Sequence, residues 1–151
     1  MSDAFPPSGY PHACEIALRW KDNDVYGHVN NVEYYSYFDT VINDYLIRVG
    51  GLDIHTGDTI GVCAESHCAF SAGISFPGTV LAGLRVGTLG RSSVRYEIGL
   101  FDAADRRRLA EGWFVHVFVD RSSRRPASIP DPIRSALARL ASPSSDGASE
   151  Q

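Results

Sequence analysis

One run of apolar side chains constrains this chain more than any other feature. Val32, Tyr35, Phe38, Val41, Ile42, Tyr45, Leu46 and Val49 recur at spacings of three and four, which puts them on one face of a helix. Gly50 and Gly51 stop it, and Asn30 with Glu33 three residues later resembles a capping box at its start. Such a helix is about 27 Å long at about 1.5 Å per residue. Tyr34 and Tyr37 widen its apolar side, so burying it takes a sheet rather than a single neighbouring helix. The rest of the chain supplies one. Residues 13–20 alternate, with Cys14, Ile16, Leu18 and Trp20 on the side expected to be buried. Residues 61–70, 79–89, 93–101 and 109–119 read as long strands separated by Gly, Pro, Ser and Asp clusters, and 132–140 reads as a short closing helix. The expected class is α+β: a long central helix wrapped by a curved antiparallel sheet of about five strands.

A chain of 151 residues holds one such core and no more. The expected domain spans 13–140. Residues 1–12, with Pro6, Pro7, Gly9 and Pro11, read as an irregular arm, and 141–151, small and polar, as a disordered tail. A net charge of -4 disfavours a nucleic-acid partner, which would need excess positive charge against phosphate. No window is apolar for long enough to span a bilayer, and the first residues lack a basic segment followed by an apolar run. Cys14, Cys63 and Cys68 cannot all pair within one chain and form no zinc-ligand spacing, so no metal is expected and a reducing, cytoplasmic setting is. By strict alternation Cys63 and Cys68 face opposite sides of their strand, as do Ser66 and the pair Glu65 and His67; none of these is assigned chemistry.

The chemistry-bearing segment lies directly before the long helix. Asp22-Asn23-Asp24-Val25-Tyr26-Gly27-His28-Val29-Asn30-Asn31 joins acidic, amide and imidazole side chains to a glycine and a helix start. It resembles the signature of the 4-hydroxybenzoyl-CoA thioesterase branch of the hotdog superfamily, and also the acyl-carrier-protein thioesterases. The likeness extends to the order of elements, to Phe76-Pro77-Gly78 before a strand, to Gly90-Arg91-Ser92-Ser93 at a hairpin and to Arg125-Pro126 ahead of Ile129-Pro130.

The resemblance implies a hotdog fold and hydrolysis of an acyl thioester carried on coenzyme A or on the phosphopantetheine of a carrier protein, with no further cofactor. It implies that Asp24 either attacks the thioester carbonyl or activates water, and the sequence leaves that choice open. It also implies that the backbone N–H of Asn31 polarises the carbonyl oxygen, as an unpaired donor at a helix N-terminus can. His28 ranks second as a catalytic group. Gly27, Tyr26 and Asn30 line the substrate, although Tyr26 stands where the acyl-carrier-protein enzymes carry an asparagine. Arg91 and Ser92 are candidates for phosphate contact. A homodimer or homotetramer, with the substrate tunnel between subunits, completes the expectation. Two alternatives use the same parts. A hotdog hydratase or dehydratase also sets an Asp and a His around a thioester, but commonly with a proline and another polar residue between them, whereas Val25, Tyr26 and Gly27 intervene here. A non-catalytic acyl-CoA binding module would need only the fold. Asp24 itself has a plainer reading, as the cap of a turn.

Overall fold

The computed structural model describes residues 6–141, so the expectations for residues 1–5 and for 142–151 of the tail lie outside the described residues. Five strands, β1 (His12–Ala17), β2 (Thr59–Phe70), β3 (Thr79–Leu89), β4 (Ser93–Asp102) and β5 (Arg108–Asp120), form one sheet in the order β1-β3-β4-β5-β2 with every pairing antiparallel. Helix α1 (Asn31–Arg48) lies in its concave side, and α2 (Asp131–Ala138) closes one end. This is the hotdog fold.

Alternation along the strands explains the wrapping. Val80, Ala82, Leu84 and Val86 from β3, Val94, Tyr96, Ile98 and Leu100 from β4, and Phe114 and Phe118 from β5 join Phe38, Val41, Ile42 and Leu46 of α1 in one buried cluster. Each large side chain buried there stabilises the fold by about 1.5–3 kcal/mol. Gly112 of β5 is placed to let the Phe38 ring approach the sheet, since an added Cβ would sit 2.9 Å from that ring. Register shifts at Cys63/Glu65, Val86/Thr88 and Leu100/Phe101 are the bulges at which long strands bend.

Several expectations change. The buried stripe of α1 is Tyr34, Tyr37, Phe38, Val41, Ile42, Tyr45 and Leu46. Val32 and Val49 are exposed, off that stripe. Trp20 is also exposed, at 74%, since β1 ends at Ala17 and a turn of 3-10 helix follows. Cys63 pairs opposite His116 and Cys68 opposite Gly112, both positions of β5 that face the helix. The bulge at Ala64 inserts one residue and reverses the parity, so the two thiols share a face; both are free. Of the arm, residues 6–11 are irregular but packed. Tyr10 lies over the outer face of the sheet, where Gly83 and Gly99 leave a trough for its ring, and the Arg85 guanidinium sits 4.8 Å from the ring centre.

His116 is the polar exception in the core. It is 3% exposed, and its Nδ1 is 3.0 Å from the Tyr96 hydroxyl. Burial lowers its pKa from 6.5 to about 4. An unfolded chain takes up this proton below about pH 6.5, whereas the folded chain resists it down to about pH 4. Stability from this residue is therefore complete above pH 6.5 and falls as pH drops towards 4, by about 3 kcal/mol in all at about 1.4 kcal/mol per unit. Denaturant midpoints measured across this range should decline for the wild type. They should flatten in a Tyr96→Phe/His116→Phe double variant, which removes both hydrogen-bonding partners together.

Candidate functional site

The segment before α1 is a tight hairpin held open at its tip. Asn23 and Val29 bridge, the Asp24 N–H donates to the His28 carbonyl at 2.9 Å, and the Gly27 N–H donates to the Asp24 carbonyl at 3.1 Å. Gly27 has φ +89°, which any other side chain would strain. Asp24 Oδ1 accepts the Tyr26 N–H at 2.8 Å, so the carboxylate does cap the turn. Its other oxygen has no hydrogen-bond partner among the described residues. Val25 and Tyr26 project from the tip and are almost fully exposed.

A second segment, 71–78, carries the hairpin. The Ile74 carbonyl accepts the Val29 N–H at 2.9 Å, the Ser75 hydroxyl donates to the Gly27 carbonyl at 2.6 Å, and Asn23 Oδ1 accepts the Phe76 N–H at 3.1 Å. Gly73 lies against the His28 imidazole, and an added Cβ would come within 2.9 Å of it. The Arg107 guanidinium in turn donates to the Gly73 carbonyl at 3.1 Å. These supporting residues were not foreseen from sequence. Only Phe76-Pro77-Gly78 marked the segment, and a contact between residues 48 apart has no local signature.

Beneath the hairpin, Asp22 has a fully buried carboxylate. It accepts the Arg19 N–H and the Tyr37 hydroxyl, each at 2.9 Å, and pairs with the Arg19 guanidinium at 3.0 Å. Burial alone would raise its pKa, but these donors outweigh it and hold the carboxyl below the usual range. Burial and the neighbouring carboxylate push the Tyr37 phenol upwards. The Asp22 carbonyl also accepts the Asn30 N–H at 2.9 Å. That contact corrects the capping box. Asn30 does cap α1 by accepting the Val32 N–H at 3.0 Å, but its own N–H is already taken, and Glu33 turns to Arg19 and Lys21 instead, each at 3.5 Å. The Asn30 carbonyl accepts the Glu33 N–H. The Asn31 N–H is left with no acceptor among the described residues, at the positive end of an 18-residue helix.

The predicted site residues therefore fall into three places. Asp24 and Gly27 line a cleft of about 410 Å³ with Trp20, Lys21, Asn23 and Val25, and Tyr26, Asn30 and Asn31 lie in the same stretch of chain. His28 lines a separate, larger cleft of about 610 Å³, with Glu15, Ser75, Asp102 and Arg107. Arg91 and Ser92 sit at the β3–β4 hairpin, at the opposite end of β3 from Thr79 and this loop. The Arg91 carbonyl accepts from the Ile129 N–H and from the Arg134 guanidinium, each at 2.9 Å. Among the described residues, no group of three or more His, Cys, Asp or Glu side chains is placed to hold a metal ion, and no helix is long and apolar enough to cross a membrane.

Known proteins share this architecture. The sequence model of the thioesterase-like superfamily matches residues 18–137, and the chain belongs to that superfamily. Acyl-thioester hydrolysis is the general activity that membership supports. The chain is similar to the PA5185 protein of Pseudomonas aeruginosa, with 53% identity over 88% of this chain and 93% of that one and a TM-score of 0.86. It is similar to the PA2801 protein of the same organism, with 31% identity over 85% and 98% and a TM-score of 0.79. A thioesterase of Thermus thermophilus, solved in complex with coenzyme A and zinc, shares 29% identity over 89% and 97% with a TM-score of 0.72. No curated protein matches the chain.

Asp22 should behave as a structural residue. Asp22→Ala leaves the Tyr37 hydroxyl buried without an acceptor and should cost about 2–4 kcal/mol. Because its folded pKa is depressed, the stabilisation it gives is present above the unfolded value near 3.9 and is lost as pH falls through the folded one. Acid titration of the denaturant midpoint in wild type and Asp22→Ala should show the wild type losing its advantage below about pH 4.

Proposed function

We propose that the protein is an acyl-CoA thioesterase in which Asp24 and the Asn31 N–H act on the same carbonyl. The observation that carries this reading is the unpaired Asn31 N–H at the start of α1, a few residues after a hairpin that presents a carboxylate with one oxygen unengaged. A thioester carbonyl oxygen accepting that N–H gains a hydrogen bond that strengthens as negative charge develops on the oxygen, and stabilising that charge is usually what lowers the barrier to acyl transfer most. Asp24 then either attacks the carbonyl carbon and expels the thiolate, leaving a mixed anhydride that water hydrolyses to the free acid and Asp24, or takes a proton from an attacking water and passes it to the departing thiolate. Asn31 works through its main chain, so its side chain contributes little. Gly27 and Asn30 shape the loop and the cap, and Tyr26 covers the substrate from the hairpin tip. His28 lies against Gly73 in the other cleft, and its contribution is to hold the loop rather than to exchange protons with the substrate.

The functional unit in this reading is a homodimer. Among the described residues β2 is an edge strand of twelve residues with no partner on one side, and exposed Trp20, Val25, Tyr26 and Val32 lie in or beside the loop. Pairing β2 with its copy about a twofold axis satisfies the edge and brings chain against that apolar patch. Arg91 and Ser92 of the second copy, at the Thr59 end of its sheet, are then available to the coenzyme A phosphates. The coenzyme A held by the Thermus relative supports coenzyme A as the carrier.

Thiol release from short, medium, long and aromatic acyl-CoA substrates should fall at least ~100-fold in Asp24→Ala, while Asn31→Ala stays within a few-fold of wild type. Equal release by wild type and Asp24→Ala, with fold and assembly intact, would remove Asp24 from the mechanism. Hydration of an enoyl-CoA without thiol release would instead favour a hydratase.

A further inference from the structure

The cleft of about 410 Å³ that holds Asp24 has one cation among the described residues that line it, Lys21. Trp20, Asn23, Val25 and Gly27 complete the lining, so the carboxylate and the ammonium are its two charges. Lys21 stands in the 3-10 turn between β1 and the hairpin. Its Nζ is 3.5 Å from Glu33 Oε2 and 4.0 Å from Asp22 Oδ1, both longer than an ordinary hydrogen bond. Neither carboxylate depends on it. Asp22 already binds Arg19 and Tyr37, and Glu33 is shared with the Arg19 guanidinium at 3.5 Å. The ammonium, with three donors, is loosely held and has donors to spare.

Two contacts fix where it lies. It lines the Asp24 cleft, and it rests against Glu33 in the first turn of α1, two residues after Asn31. It is therefore beside both the carboxylate and the helix start that the proposed function directs at one carbonyl. A thioester seated there carries its sulfur into the same cleft, and breaking the C–S bond puts a negative charge on that sulfur. An alkyl thiol such as that of cysteine ionises only near a pH of about 8.5, so its thiolate leaves reluctantly at neutral pH and gains from a nearby cation. His28 supplies none here, since its ring lines the other cleft beside Gly73 and Arg107. A lysine, with a compact charge on a flexible stem, can meet a charge that appears only in the transition state.

We infer that Lys21 is a further catalytic residue, whose ammonium donates to the thioester sulfur and stabilises the thiolate as it departs. The inference rests on the thioesterase reading above and adds to it the group that serves the leaving thiol. The carbonyl carbon gains a bond to an oxygen of Asp24 or of water. The C–S bond breaks with both electrons passing to sulfur, and an N–H···S hydrogen bond from Lys21 holds the anion. Lys21 keeps its proton. The sulfur takes the proton that Asp24 removed from water, or one from solvent when Asp24 is itself the nucleophile, and leaves as the thiol. The Lys21 side chain is 64% exposed, so water screens its charge. Its removal should therefore cost about 10-fold in rate, less than the roughly 100–1,000-fold of a preorganised oxyanion donor.

One acyl group on three different thiols tests this, using the acyl group hydrolysed fastest on coenzyme A. The thiols are coenzyme A itself, N-acetylcysteamine, which is the alkyl-thiol end of the same arm without its phosphates, and 4-nitrothiophenol, which leaves readily as its anion. Single-turnover rates and half-saturation are measured for each, so that bond breaking is separated from product release. Lys21→Met removes no contact shorter than 3.5 Å and keeps an apolar stem, so the fold is retained. It should slow the first two esters about 10-fold and leave the third within about 2-fold of wild type, and Lys21→Arg should recover most of the loss. A loss confined to the coenzyme A ester and seen in half-saturation makes Lys21 a phosphate contact and overturns the inference. Equal losses on all three esters overturn it in favour of a structural role, and a Lys21→Met that matches wild type throughout overturns it outright. In each of those cases wild-type hydrolysis leaves the thioesterase reading standing. A wild type that releases thiol from no ester overturns that reading and this inference together.

Discussion

The buried Asp22 carboxylate is the contact on which the arrangement of the site depends. Its oxygens bind the Arg19 backbone and guanidinium on one side and the Tyr37 hydroxyl on the other, while its carbonyl takes the Asn30 N–H. One residue thereby ties the exit of β1 to the first turns of α1 and to the hairpin between them. A charge buried this deeply is tolerable only because each of its partners is a donor. The contact also takes up the Asn30 N–H, and the next donor in the chain, that of Asn31, has no acceptor among the described residues.

The same economy governs the hairpin. Its backbone closes on itself through Asp24, Gly27 and His28, and its outer side is carried by Ile74, Ser75 and Phe76. The carboxylate of Asp24 is thus presented from a supported turn rather than from a free loop, which is what a reacting group held to a fraction of an ångström requires. In the proposed mechanism Asp24 serves as turn cap and as reactive group at once, since capping engages a single oxygen.

Much of this was legible in the sequence because it is local. A period of three and four, a cap and two glycines define α1, and the Asp24 hairpin is contiguous with it, so loop and helix could be read as one unit. What escaped depends on pairing. The bulge at Ala64 adds one residue opposite β5 and returns Cys63 and Cys68 to the same face, which alternation alone cannot reveal. Tyr34 and Tyr37 displaced Tyr35 from the centre of the buried stripe because Asp22 and the carbonyl of Ala72 offer their hydroxyls acceptors, and those acceptors come from elsewhere in the chain. Ser75, Gly73 and Arg107 support the hairpin through contacts between residues 34 to 48 apart in sequence. His28 and Asp24, neighbours in the motif, line different clefts because a tight turn sends nearby side chains apart.

The central claim is that Asp24 and the Asn31 N–H address one carbonyl. The most direct measurement is a crystal structure with an acyl-CoA analogue in which a methylene replaces the thioester sulfur, leaving a ketone that cannot be hydrolysed. The account predicts the ketone oxygen at hydrogen-bonding distance from the Asn31 N–H, about 2.7–3.2 Å, with its carbon facing the Asp24 carboxylate. A ketone seated instead in the cleft beside His28 and Arg107, with the Asn31 N–H bound to water, would contradict it.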